Sequence, residues 1–257
     1  MRIATWNVNG LRAALKKGLP AHLERIDPNV LLMQEVRALP EQLPTDWQDP
    51  DGWSCLWHPA EKKGYSGTAI WSRDGIKEEG RGAGEGDPEG RVIVARVGKL
   101  RVVSVYLPSG SSGDLRQTEK DRWLGFFHQW AEPMLKSKIP TVIGGDLNIA
   151  HTERDLFYAK GNMKSSGFLP HERQWMGDLI DMGWADVIRE AHGDVDGPYS
   201  WWSNRGQARA LDRGWRIDYL LMNNAARKRM TGCFIDRESG LQVSDHAMVV
   251  ADIDVEQ

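Results

Sequence analysis

Short apolar runs, each closed by a polar or charged residue, recur along this chain, and their length suits strands better than helices. Ile3–Trp6 leads into Asn7-Val8-Asn9-Gly10, and Val30–Met33 leads into Gln34-Glu35. Gly67–Ser72 predicts a further strand. Arg91–Val97 and Leu100–Tyr106 predict a hairpin about Gly98-Lys99, a pair suited to a two-residue turn. Thr141–Ile143 is a β-branched run that Gly144 and Gly145 are expected to close in a tight turn, with Asp146 and Asn148 directly after it. Arg216–Met222 predicts a strand with Asp218 embedded in it, and Gly232–Ile235 predicts another. The last, Ala247–Ile253, is preceded by Ser244-Asp245-His246.

Helical spacing is confined to fewer stretches. Residues 116–137 place Trp123, Phe126, Phe127, Trp130 and Met134 on one face, which is a core-facing pattern. Leu11 to about Arg25 predicts a helix stopped by Asp27-Pro28, and a further helix runs from Pro170 through about Met182. Residues 39–63 read as loop with short elements, and residues 75–90 as a glycine-rich surface loop. That loop lacks the lysine and helix start that a phosphate cradle requires. No repeat or linker divides the chain. The predicted fold is α/β, with two mostly antiparallel sheets packed face to face, helices outside, and one domain spanning 1–257.

Composition narrows the class. With 257 residues, 40% hydrophobic and 27% charged, the chain is long enough for a large core in one domain. A net charge of −3 lacks the overall basic signature of many nucleic-acid binders. The basic residues are nevertheless local: Arg2, Arg12, Lys16, Lys17 and Arg25 oppose only Glu24 at the start, and Arg205, Arg209, Arg213 and Arg216 oppose Asp212. Each cluster is either a solvated face or a docking surface. Cys55 and Cys233 have no metal-type spacing and read as free thiols of a reducing cytosol. No apolar run reaches membrane-spanning length and the N-terminus has no hydrophobic leader, so a cytoplasmic location is expected.

Candidate chemistry lies at the ends of the strands. Asn7, Glu35, Tyr106, Asp146, Asn148, Asp218, Asp245 and His246 all stand there, and sheets that bring those ends to one rim would form an acidic pocket with one histidine. Crowded carboxylates repel unless a cation holds them, and hard oxygen donors favour magnesium or manganese. Without a Cys/His cluster, zinc is a poor candidate. Such a pocket suits phosphodiester hydrolysis: a carboxylate activates water, and a cationic histidine supports charge developing on phosphorus. An acid beside the histidine, Asp218 or Asp245, would keep it protonated. Serine hydrolase chemistry fails for want of a G-x-S-x-G nucleophile elbow.

Seven stretches in order, TWNVNGLR, LLMQE, KGYSG, VYLPSG, GGDLNIAH, GWRIDYLL and SDHAMVV, resemble the exonuclease III family of apurinic/apyrimidinic endonucleases, within the endonuclease/exonuclease/phosphatase superfamily. The resemblance spans essentially the whole chain. It implies a four-layered α/β sandwich and a magnesium-dependent DNA repair nuclease, with manganese as a substitute ion. Its partner would be duplex DNA with abasic sites or blocked 3′ ends, cut 5′ to the abasic site, with 3′→5′ exonuclease and 3′-phosphatase activity besides. A monomer without membrane association is expected.

The resemblance also implies roles. Glu35 would be the main metal ligand, assisted by Asn7 and Asp245, with Asp146 and Asn148 completing the candidate set. Asp146 would position or deprotonate the attacking water and Asn148 orient it. His246, held by Asp218, would contact the scissile phosphate, with Tyr106 near the same phosphate. Arg12, Lys17, Tyr65, Asn162 and Arg216 would contact DNA, Arg205 would act as a wedge, and Trp201, Trp215 and Ile217 would form the pocket for a flipped-out abasic sugar. Core packing is the alternative for the tryptophans. Asn9, Ser109, Ser112 and Ser165 depart from residues that some relatives carry, which bears on the balance of incision and exonuclease activity. Two other readings compete. The DNA-type segments oppose a same-fold enzyme acting on lipid or inositol phosphate head groups, and the filled catalytic positions oppose a non-catalytic DNA-binding module.

Overall fold

In the computed structural model, which describes residues 1–84 and 86–255, the strands form two six-stranded sheets. The first has the order β11 (Met230–Asp236), β12 (Met248–Ile253), β1 (Arg2–Asn7), β2 (Val30–Gln34), β4 (Thr68–Ser72) and β3 (Ser54–His58). The second runs β5 (Lys77–Arg81), β6 (Val92–Val97), β7 (Leu100–Tyr106), β8 (Thr141–Asp146), β10 (Asp218–Met222) and β9 (Ala185–Asp186). Among the described residues only β1 with β2 and β7 with β8 pair in parallel, so the sheets are mixed but mostly antiparallel.

The layering follows from strand alternation. Ile3, Leu32, Ile70, Val102, Val142 and Leu220 face one another between the sheets in one buried cluster. The alternate residues Ala4, Trp6, Leu31, Met33 and Val250 pack outward against α1 (Leu11–Lys16) and α2 (Leu19–Ile26). On the other side Val103, Val105 and Tyr219 pack under α3 (Asp114–Leu135) and a helix over Pro170–Asp181, through Trp123, Phe127 and Trp175. Helix, sheet, sheet, helix is the four-layered sandwich expected. Because both faces of the central strands are covered, these strands read as continuous apolar runs.

Four local expectations are corrected. Gly144 and Gly145 do not turn the chain; both lie inside β8. A β-carbon on Gly144 would stand 2.6 Å from Leu32 Cδ1 of the facing sheet and 2.9 Å from Leu220 Cδ2, so glycine there lets the sheets approach, while one on Gly145 would strike the Val105 carbonyl of the neighbouring strand β7. The helix expected over Leu11–Arg25 divides at Gly18, whose φ of 101° leaves the helical region, and Pro20 then opens α2. Strands β3 and β5 arise where loops were expected. Both are sheet edges, half or fully exposed, and β5 (KEEGR) carries the charges that keep an edge from pairing further.

Candidate active site

The topology carries the polar strand ends to one rim. Parallel pairing of β1 with β2 sets Asn7 opposite Gln34, just before Glu35. In the second sheet Asp146 has Tyr106 on one side and Asp218 on the other. Beyond these ends the chain turns sharply through left-handed residues, Asn9 at φ 47°, Glu35 at φ 55° and Asn148 at φ 53°. Asparagine tolerates that region, but glutamate there costs on the order of 1–3 kcal/mol and must be held by its surroundings. The Glu35 carbonyl accepts from Gly10 N at 2.8 Å, and Val36 N donates to Gly67 O at 3.0 Å, which fixes the turn from both sides.

At the centre, His246 Nδ1 faces the Asp218 carboxylate at 2.9 and 3.1 Å, so this nitrogen carries a proton. Ser200 Oγ donates to Asp218 Oδ2 at 2.7 Å and accepts from the backbone N–H groups of Ile217 and Asp218, each at 3.1 Å. The other imidazole nitrogen lies 3.9 Å from Asp146 Oδ2. Asp146 accepts from Asn7 Nδ2 at 2.9 Å, from Asn148 N at 2.8 Å and from Asn148 Nδ2 at 3.2 Å. Asn148 is pinned in turn by its amide to Leu107 O and by buried Lys120, whose Nζ donates to its carbonyl at 2.9 Å.

These contacts set the protonation states. Burial disfavours the imidazolium, but Asp218, Asp146 and Asp245 outweigh it and raise the pKa of His246 to about 10. Burial raises Asp146 to about 7, with Asp218 adding and His246 opposing. Burial, then Glu35 and Asp146, push the Tyr106 phenol well above its ordinary value, so it stays a neutral donor. Partial burial of Asp245 opposes its ionisation, yet His246 and the hydrogen bonds from Trp201 and Asn9 hold its pKa low. A cationic histidine thus stands beside a carboxyl poised to take a proton near neutral pH.

Glu35, Tyr106, Asp146, Asn148, Asp245 and His246 line one cavity of about 430 Å³. Trp201, Trp215 and Ile217 form its apolar wall, the two indoles meeting edge to face at 6.2 Å over Leu156 and Phe168. Asn7 and Asp218 sit behind the wall, buried and bonded to Asp146 and His246 respectively. Among the described residues, Asp146, Asp218 and His246 bring ligand-type atoms within 4.8 Å of one another. Asp218 does not line the cavity, however, and a protonated imidazole cannot ligate. The donors open to a cation are therefore the oxygens of Glu35, Asp146, Asn148 and Asp245, a hard set that fits a divalent metal. Asn7 spends its amide nitrogen on Asp146 and its oxygen on Asn9 N, so its expected role as a direct ligand becomes support of Asp146.

The expected DNA contacts divide. Arg12 and Lys17 are exposed on and just beyond α1, the helix leaving Asn9, and Arg205 is exposed. Tyr65 is half-buried with Lys62 and Arg116 over its ring, and Asn162 is half-buried with its amide on Tyr158 O. Arg216 is corrected: it is fully buried, with Nε 2.7 Å from Asp155 and Nη1 2.8 Å from Asp186, and cannot reach a phosphate. Arg189 also pairs with Asp155. The cluster ties the loop after β8 to β9 and to the start of β10, directly behind Trp215 and Ile217. Sequence reasoning passed over Arg37, which lines the cavity and pairs with Glu35 two residues away, and Ser200, which holds Asp218. The opposite charge of Arg37 two residues from Glu35 was the available signal for the former; nothing local marked the latter.

Comparison with known proteins places this geometry. The endonuclease/exonuclease/phosphatase family matches residues 4–246. A Bacillus subtilis exodeoxyribonuclease is 34% identical over 258 residues, covering 97% of this chain and 98% of that protein. The Danio rerio DNA repair nuclease APEX1 is 36% identical over 229 residues, covering 88% and 74% respectively. Among solved structures, the 3′ phosphatase NExo from Neisseria, bound to a product DNA hairpin, superposes with a TM-score of 0.89 at 30% identity over 99% of each chain. An AP endonuclease from Archaeoglobus fulgidus superposes with a TM-score of 0.88 at 26% identity, covering 99% of this chain and 100% of that one.

Proposed function

The chain belongs to the endonuclease/exonuclease/phosphatase family, and from that premise we propose that it is a metal-dependent DNA repair nuclease. It cuts the phosphodiester 5′ to abasic sites in duplex DNA, and it also works as a 3′→5′ exonuclease and 3′-phosphatase. The observation that carries this reading is the facing of the His246–Asp218 pair and Asp146 across a cavity whose third side is the Trp201, Trp215 and Ile217 wall.

Each residue then has a task. Asp146, its pKa raised by burial, accepts the proton of the attacking water while the Asn148 amide holds its carboxylate in orientation. Cationic His246 donates to a phosphate oxygen and stabilises the added charge of the transition state. Tyr106 presents a neutral hydroxyl to the same phosphate. A divalent cation, magnesium with manganese as a substitute, would neutralise the phosphate when held by Glu35, Asp146, Asn148 and Asp245. The apolar wall accepts a sugar without a base, and an unpaired sugar is the cheapest to extrude. All these groups come from one chain, in keeping with a monomer, and two free thiols suit a cytoplasmic protein working on the chromosome.

The test offers a labelled duplex with one abasic analogue and another with a recessed intact 3′ end, each with magnesium or chelator. Incision 5′ to the analogue that needs the metal supports the proposal. Degradation of the recessed end with the abasic strand left whole would reduce incision to a secondary activity.

A further inference from the structure

Outside the cavity, two aromatic side chains that the catalytic machinery does not use stand side by side in solvent. Phe157 is 48% exposed and Tyr158 52% exposed, with their rings edge to face at 4.7 Å. Single exposed aromatics need no explanation, but a rigid pair is different. The Arg213 guanidinium lies 5.8 Å from the first ring centroid and 5.5 Å from the second, and it pairs with no carboxylate among the described residues. Both rings line a hollow of about 570 Å³ together with Lys160, Arg154, Glu153 and Asp196. Arg154 pairs with Asp194 and Asp196 and Lys160 shares the hollow with Glu153, so the cation offered to a phosphate is Arg213 over the rings.

The pair is continuous with the apolar wall of the site. Leu156 bridges to Trp215 and packs beneath it, and the next residue, Phe157, donates its backbone N–H to Gly214 O at 3.0 Å while its ring turns outward. Two half-exposed aromatic rings and an arginine that pairs with no carboxylate among the described residues match one kind of ligand, a base with its phosphate. Paired bases inside a duplex offer no face to stack on; unpaired ones do.

We propose that Phe157, Tyr158 and Arg213 form a stacking platform for unpaired nucleotides of the DNA substrate beside the scissile position. The platform would favour substrates with frayed or single-stranded flanks. It rests on the nuclease reading for its place in catalysis, and its binding can be tested separately.

The experiment measures binding in chelator, where no strand is cut, of a blunt abasic-analogue duplex and of the same duplex carrying a short unpaired tail with 2-aminopurine. The unaltered protein should bind the tailed duplex about five- to a hundredfold more tightly and quench the probe, the range expected for stacking of one base. Tyr158→Leu and Phe157→Leu, which keep apolar bulk but remove the π-face, should abolish the preference, and Tyr158→Phe should keep it. Arg213→Gln should lower tail binding and its salt dependence. Equal affinity of the unaltered protein for both duplexes, a preference that survives both leucine variants, or an equal loss on both duplexes would overturn the proposal. Since both rings are exposed, unchanged melting temperatures show that the variants are folded. Cleavage of the blunt duplex with magnesium reports on the nuclease reading alone, so failure there with tail binding intact would leave the platform standing.

Discussion

Replacing Arg216 by methionine separates a buried strut from a DNA contact. The guanidinium is fully buried between Asp155 and Asp186, which are 0% and 3% exposed, so its removal strands Asp186 in the core and leaves Asp155 to Arg189 alone. Breaking a buried pair on one side costs about 3–5 kcal/mol. For a domain of this size each kcal/mol moves the melting temperature by roughly 2–4 °C, so Arg216→Met should melt on the order of 10 °C lower. Differential scanning calorimetry at pH 7 reads this directly. Adding Asp186→Asn should recover part of the loss, because the stranded charge is then gone. Duplex binding at several salt concentrations supplies the contrast, since loss of one phosphate contact flattens the logarithmic salt slope by about 0.9. The buried strut predicts an unchanged slope in the folded protein. A melting temperature within about 2 °C of the unaltered protein, together with a flatter slope, would refute this reasoning.

Three further outcomes follow. Burial opposes ionisation of Asp155, but Arg216 and Arg189 outweigh it and hold its pKa below the ordinary range. Its stabilising contribution is therefore complete above the unfolded value of about 4 and lost as pH falls through the folded one. Asp155→Asn should flatten the fall of stability measured by urea titration below about pH 4, and an unaltered slope would exclude Asp155 as its source. Ser200→Ala removes the hydroxyl that holds Asp218 and accepts two buried N–H groups. It should cost about 1–3 kcal/mol of stability and lower kcat more than KM rises; equal kcat would show that Asp218 needs no such support. Glu35→Gln should raise the magnesium concentration for half-maximal cleavage, and the calorimetric dissociation constant for the ion, by at least about tenfold. An unchanged metal affinity would remove Glu35 from the ligand set.

The rim of the site was legible because buried strands announce themselves and because a charged residue leaving one is conspicuous. Glu35 after Val30–Met33 and Asp146 after Thr141–Ile143 carried that signal, and the ordered motifs fixed which ends would meet. Edge strands β3 and β5 were hidden because half-exposed edges need no apolar alternation. The two glycines of β8 misled since their cause is a close neighbour, the facing sheet for Gly144 and strand β7 for Gly145, not a turn of their own backbone. Arg216 misled for a related reason. It lies in an arginine-rich stretch that looks solvated, while its partners stand 61 and 30 residues away in the chain. Only tertiary structure brings such partners together, and the same holds for Lys120 and Glu172, which form a buried ion pair behind Asn148.

Single-turnover cleavage of the abasic-analogue duplex by Asp146→Asn, His246→Gln and the double variant tests most directly whether separate strand ends act as one catalytic unit. Each single change should slow cleavage by at least about a hundredfold, and the double should fall little below the slower single, since groups that act on one phosphate do not add. A near-normal rate for either single variant, or losses that simply multiply in the double, would contradict the shared site.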